Sequence, residues 1–168
     1  DIDMDDAVET LQHVFGFSKL SRACVVEKDM DTICAAAEEY LGRELRKIRI
    51  FKVEAKRSDK KFPLKSPEIA AEVGGYLLSR FSNLRVDVHE PDLVIFVEIR
   101  DQAAYIHGPQ LDGAGGMPVG SSGKAMLLVS GGIDSPVAGY MMAKRGLEIE
   151  AIHFAAPPYT SEYARQKV

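Results

Sequence analysis

The run Met126–Gly146, MLLVSGGIDSPVAGYMMAKRG, places a short apolar segment, a glycine-centred turn and a helical segment in immediate succession. Met126, Leu127, Leu128 and Val129 read as a parallel strand covered on both faces. Ser130, Gly131 and Gly132 break it; paired glycines permit a turn that a Cβ would obstruct and leave amides bare for a phosphate. Ser135 is expected as N-cap and Pro136 as first residue of a helix ending at Gly146. The positive end of that helix would face whatever fills the turn, so the implied chemistry is capture of a nucleotide's phosphates. Neither GxxxxGK[ST] nor GxGxxG occurs, which excludes a Walker loop and a dinucleotide fingerprint.

A second anion-directed feature lies upstream. Between Arg43 and Lys65, ten basic residues stand against Glu44, Glu54 and Asp59, a local excess of +7 in a chain of net charge −4, leaving −11 for the remainder. The charge is therefore localised, as on a face that meets a nucleic-acid backbone. A solvated helix end followed by a strand with exposed lysines accounts for the same residues and remains open.

Periodicity supplies the elements that must hold these residues. Asp3–Phe15 reads as a helix with Met4, Val8, Leu11 and Phe15 on one face, closed by Gly16. Ala23–Val26 reads as a strand, and Thr32–Leu45 as a helix with Ile33, Ala36, Ala37, Tyr40 and Leu41 inward. Ile48–Ala55 alternates like a half-buried strand, and a helix capped by Ser66 and opened by Pro67 follows. Val86–Val88, Asp92–Arg100 and Ala103–His107 complete a mixed sheet, giving an α+β domain. From Gly108 to Gly123 the chain turns to Gly and Pro without apolar period, which reads as a connector, its GAGG included.

The spacing SGGIDS resembles the PP-loop signature SGGxDS, whose bearers cleave ATP between the α and β phosphates. With FKVEAKRSDKKFP and DLVIFVEIRDQAAYIHG ahead of it, the chain resembles the tRNA 4-thiouridine synthetase (tRNA sulfurtransferase) family. The resemblance implies a THUMP RNA-binding domain over 5–110, a Gly-rich linker over 111–123, and over 124–168 the first βαβ of a PP-loop (adenine nucleotide alpha hydrolase-like) domain, incomplete here. It implies ATP-dependent adenylation of uridine O4 near position eight of tRNA, displacement of AMP by persulfide sulfur from a donor such as a cysteine desulfurase, and a link to the thiamine thiazole. On these positions Gly131 and Gly132 would offer amides to the phosphates, beside the hydroxyls of Ser130 and Ser135. Asp134 is assigned the catalytic role of orienting Mg²⁺, since a bare carboxylate would repel the phosphates. The strand Glu148–Phe154 would end beside the loop, where His153 and Phe154 contact ribose and adenine while Leu128 and Val129 line the floor. A core or boundary role for Phe154 is the alternative. THUMP domains hold the acceptor end of tRNA, and Lys52, Lys56, Arg57, Lys60 and Lys61 are expected to touch its phosphates.

Cys24 and Cys34 read as core thiols, and the family's sulfur-carrying cysteine lies well after the loop, past Val168. The chain begins at Asp1 rather than Met, so it is expected to be a piece truncated at both ends and inactive alone. Open strand edges suggest a homodimer through residues 125–155. At 168 residues and 46% apolar content the chain can fill a core, and two unpaired cysteines suit a reducing, cytoplasmic setting. No run approaches the roughly 18 apolar residues of a membrane span. His13, His89 and His107 lack ligand spacing, so no metal site of the protein's own is expected. Two other classes remain: a non-catalytic tRNA-binding module, and a PP-loop pyrophosphatase acting on a small molecule.

Overall fold

The computed structural model describes residues 2–156 and 161–168. In chain order the elements are α1 (Met4–Gln12), β1 (Lys19–Leu20), β2 (Ala23–Val26), α2 (Met30–Leu45), β3 (Ile50–Arg57), α3 (Ser66–Arg80), β4 (Arg85–Val86), β5 (Leu93–Ile99), β6 (Ala104–His107), β7 (Leu111–Asp112), β8 (Lys124–Leu128), α4 (Asp134–Lys144), β9 (Glu148–Ile152) and α5 (Glu162–Gln166). They fall into a central unit, Ser21–Gln110, and a discontinuous unit, Asp1–Leu20 with Leu111–Val168.

The central unit is built on a five-stranded sheet of order β2-β6-β5-β3-β4, in which β3 runs parallel to β4 and β5 while β6 is antiparallel to both β5 and β2. Leu93, Ile95, Val97 and Ile99 of β5 are buried and alternate with half-buried Val94, Phe96 and Glu98, the period-two pattern of a strand with one face on a core. Ile33, Ala37, Leu41 and Leu45 of α2 share that core with Ile69, Val73 and Leu77 of α3, both 3.6-residue stripes. Phe51, fully buried in the same cluster, sets the inward face of β3. The Asp29 carboxylate caps α2, accepting from the Thr32 N–H and hydroxyl at 3.0 and 2.9 Å, which holds its pKa below the usual carboxylate range.

Three local expectations are corrected here. α1 ends at Gln12 rather than Phe15, though the Phe15 ring still packs edge-on against Tyr140, centroids 5.1 Å apart. Ser66 is the first helical residue of α3, not its cap; the Glu68 carboxylate accepts instead from the Lys65 N–H at 2.6 Å. The strand expected at Val86–Val88 is Arg85–Val86, a two-residue edge.

In the discontinuous unit β1 pairs antiparallel with β7, and β8 pairs parallel with β9 through the crossover helix α4. The Gly-rich stretch is hydrogen-bonded from both sides. Residues 113 and 115 exchange backbone bonds with Gly16, Phe17 and Ser18, while Met117 N–H donates to Lys144 O at 3.0 Å and Ser122 N–H to Gly146 O at 2.9 Å. Gly113 runs against the Phe17 carbonyl, and Gly116, at φ +77, against that of Lys144, leaving neither room for a Cβ. This ladder is why residues 5–20, expected with the THUMP region, group with 111–168, and why 111–123 is a packed connector.

β8 departs from the expected strand covered on both faces. Met126 and Leu128 are 60% and 63% exposed; α4 covers the other face, with Gly139 against Leu127.

Candidate functional site

The turn between β8 and α4 assembles the residues expected to meet phosphate. Ser130, Gly131, Gly132 and Asp134 are exposed, and among the described residues the Gly131 and Gly132 amides have no acceptor. Neither glycine is in the left-handed region, so their value is open approach rather than a strained turn; a Cβ on Gly132 would meet only Ser130 Oγ, at 3.7 Å. α4 begins at Asp134 with Ile133 at the N-cap position and no side-chain cap. Ser135 is therefore inside the helix rather than its cap, and its Oγ accepts from the Ser130 N–H at 3.4 Å, closing the loop on itself. Pro136 follows in the first turn, where it costs no hydrogen bond. The loop thus presents uncommitted amides, hydroxyls and the positive end of an 11-residue helix, with one carboxylate at the rim.

β9 delivers His153 to the root of this loop. Its Nδ1 lies 2.8 Å from Val129 O, so in the neutral ring Nδ1 donates and Nε2 is an acceptor; Nε2 is buried without a partner among the described residues. Val129 N–H donates in turn to Ile152 O at 2.9 Å, clamping the end of β8 to β9 by backbone and side chain together. Phe154 is 72% exposed. Leu128 is also exposed and Val129 is half-buried. Among the described residues no group of three or more His, Cys, Asp or Glu can hold a metal ion. A Mg²⁺ ion here would rest on Asp134 together with nucleotide phosphates, the hard-oxygen arrangement that ion favours.

In the central unit the five basic residues expected to meet RNA lie on β3 and the loop after it, with unequal freedom. Lys52 pairs with Glu54 at 2.6 Å. Arg57 donates from Nη1 to Phe62 O and Leu64 O at 2.9 and 3.2 Å, pinning the 58–64 loop. Lys28 anchors that loop through Asp59 at 2.6 Å, and the other Asp59 oxygen accepts from the Lys61 N–H, so this carboxyl is held below its usual range. The exposed ammonium groups of Lys56, Lys60 and Lys61 are uncommitted among the described residues. Cys34 is 4% exposed and its thiol is pushed up to about 11, chiefly by burial, so it stays protonated and inert at neutral pH. Sequence reasoning missed the Val129–His153 clamp, for which no sequence signal exists, and the place of Arg85, which lies outside the basic run.

A mixed-sheet unit followed by a glycine loop at a strand–helix junction is the plan of THUMP-bearing proteins with an ATP loop. A THUMP-domain family model matches residues 27–107, and the family model described as "Thiamine biosynthesis protein (ThiI)" matches 120–168. Two relatives, both called "Probable tRNA sulfurtransferase", come from Lachnoclostridium phytofermentans, 54% identical over all of this chain, and Anoxybacillus flavithermus, 50% identical over 96% of it. Two solved structures superpose along the chain. A 4-thiouridine synthetase in complex with RNA and bound ATP has TM-score 0.85 and 39% identity, over 99% of this chain and 43% of that one. A protein of Pyrococcus horikoshii has TM-score 0.84 and 33% identity, over 97% and 54%. The chain belongs to the tRNA sulfurtransferase, or 4-thiouridine synthetase, family. It spans 43% and 41% of the length of those two relatives.

Proposed function

We propose that the chain is the RNA-binding unit and ATP loop of a tRNA sulfurtransferase that makes 4-thiouridine near position eight of tRNA and is linked to sulfur supply for the thiamine thiazole. The observation that carries this reading is the β8–α4 loop, whose bare amides open at a helix N-terminus beside the clamped end of β9. Gly131 and Gly132 hold the phosphates by their amides, Ser130 and Ser135 line the turn, and Leu128, Val129, His153 and Phe154 surround the nucleoside. Asp134 orients Mg²⁺, which when bound neutralises charge on the phosphates. Uridine O4 attacks the α-phosphate, the bond to the β-phosphate breaks and pyrophosphate leaves; the outer sulfur of a persulfide supplied by a partner such as a cysteine desulfurase then displaces AMP at C4, and a second thiol cleaves the resulting S–S bond, ending as a disulfide and leaving the thione on the base. Neither the buried Cys34 nor the half-buried Cys24 is suited to carrying that sulfur, so the chain binds without turning over.

Lys52, Lys56, Arg57, Lys60 and Lys61 form the RNA face along β3 and the loop after it, with Lys56, Lys60 and Lys61 free to reach phosphates. The apolar side chains exposed on β8 and α4 suit cover by further chain or, in isolation, by a second copy paired through residues 125–155.

Titration of the chain with an unmodified tRNA transcript at stepped salt, and separately with Mg·ATP, tests the reading. Salt-sensitive tRNA binding with weak ATP binding is expected; ATP binding with no affinity for tRNA would instead favour a small-molecule pyrophosphatase.

A further inference from the structure

The run of positive charge from Arg43 to Lys65 is split by β3. Its later members sit at the C-terminal end of the strand, while Arg43, Arg46, Lys47 and Arg49 precede the N-terminal end, roughly 25 Å away at about 3.3 Å per residue. At this second end a cavity of about 520 Å³ is lined by Arg49, Ile50, Ser82, Asn83 and Arg85. Arg49 and Arg85 are exposed, and among the described residues neither guanidinium has a hydrogen bond or ion pair. Their backbones are fixed: Arg85 N–H donates to Arg49 O at 2.7 Å, and the N–H groups of Arg49 and Ile50 donate to Asp92 Oδ2 at 3.1 and 2.9 Å. Asp92, the carboxylate beside the lining, is thus committed to two amides. The opposite wall is equally firm, because Asn83 Nδ2 donates to Leu45 O and Ile48 O at 3.0 and 2.8 Å, stapling the α3–β4 turn to the end of α2. Arg46 lies over the Phe81 ring just before it, at 5.7 Å. Among the described residues no acidic side chain lines the cavity.

We infer that this cavity receives one nucleotide of a single-stranded RNA segment, with Arg49 and Arg85 on its phosphate, the Ser82 hydroxyl beside them and Ile50 as the apolar wall for ribose or base. Its volume is of the size that encloses a small ligand. Two free guanidiniums are the donors that phosphate selects. A recessed cavity fits a splayed nucleotide better than a duplex, whose bases are stacked away from the protein. The inference rests on the RNA-binding reading and adds to it a second anchor, separate from the Lys56–Lys61 end.

The test is the tRNA titration at stepped salt with the double substitution R49Q/R85Q, which leaves every backbone bond of the pocket in place, alongside K56Q/K60Q. R49Q/R85Q is expected to weaken tRNA binding about tenfold and to reduce the salt slope by about 0.7, the contribution of one phosphate on a single strand. A single-stranded oligonucleotide should compete for the unaltered chain and lose that advantage over a blunt RNA duplex in R49Q/R85Q. Ser82→Asp, on the exposed turn, places a carboxylate in the pocket and should weaken binding in a chain with unchanged circular dichroism. Native affinity and slope in both R49Q/R85Q and Ser82→Asp, with binding lost in K56Q/K60Q, would overturn the second anchor alone. Absence of tRNA binding by the unaltered chain would overturn the RNA-binding reading beneath it.

Discussion

Asp134 and Cys34 show how position decides what a reactive side chain does. Asp134 opens α4 in solvent, where the helix dipole favours its charge and no fold contact depends on it. Asp134→Asn should therefore change unfolding stability by no more than about 0.5 kcal/mol, while abolishing the Mg²⁺ dependence of ATP binding measured by calorimetry. Undiminished Mg²⁺ dependence would remove Asp134 from the site. Cys34, raised to about 11 in the core, should resist alkylation at pH 8 for as long as the chain is folded, whereas half-buried Cys24 reacts; mass spectrometry of iodoacetamide-treated chain reads both. The turn between β8 and α4 was legible in Ser130–Ser135, because glycine and serine carry their conformational meaning locally. The role of Ser135 was not, since a helix that starts two residues earlier turns a cap into a loop-closing acceptor.

At the level of elements, β5 was legible because a strand with one face on helices must alternate, and Leu93 to Ile99 does so. β8 misled because Met126–Val129 is apolar on both faces while α4 covers only one. The connector misled in the opposite way: glycine content suggested slack, but Gly113 and Gly116 are there for close backbone approach. Gly116→Ala combines an unfavourable φ of +77 with a clash on Lys144 O, and should cost about 1–3 kcal/mol. Hydrogen exchange should show faster opening of residues 111–147 with β3 and β5 unchanged; uniform protection across both units would contradict the role given to the connector.

Across the whole molecule, several loops are held by carboxylates whose pKa values lie below the usual range: Asp29 through Thr32, Asp59 through Lys28, and Asp92 through the amides of Ile50 and Arg49. A depressed folded-state pKa stabilises fully above the ordinary value of 3.8 and is lost as pH falls through the folded value. The melting temperature should thus be flat from neutrality to about pH 5 and fall below pH 4, and Asp92→Asn should shrink that fall. The grouping of residues 1–20 with 111–168 was not legible in the sequence, because it depends on pairing residues 16–20 with 111–115 across some ninety intervening positions.

The most direct test of the account is a chimaera in which this chain replaces the matching 43% of the Lachnoclostridium phytofermentans relative, with the 4-thiouridine content of tRNA measured in a host lacking its own sulfurtransferase. The account predicts restored 4-thiouridine, lost again on Asp134→Asn. A chimaera that folds and binds ATP but leaves the tRNA unthiolated would contradict it.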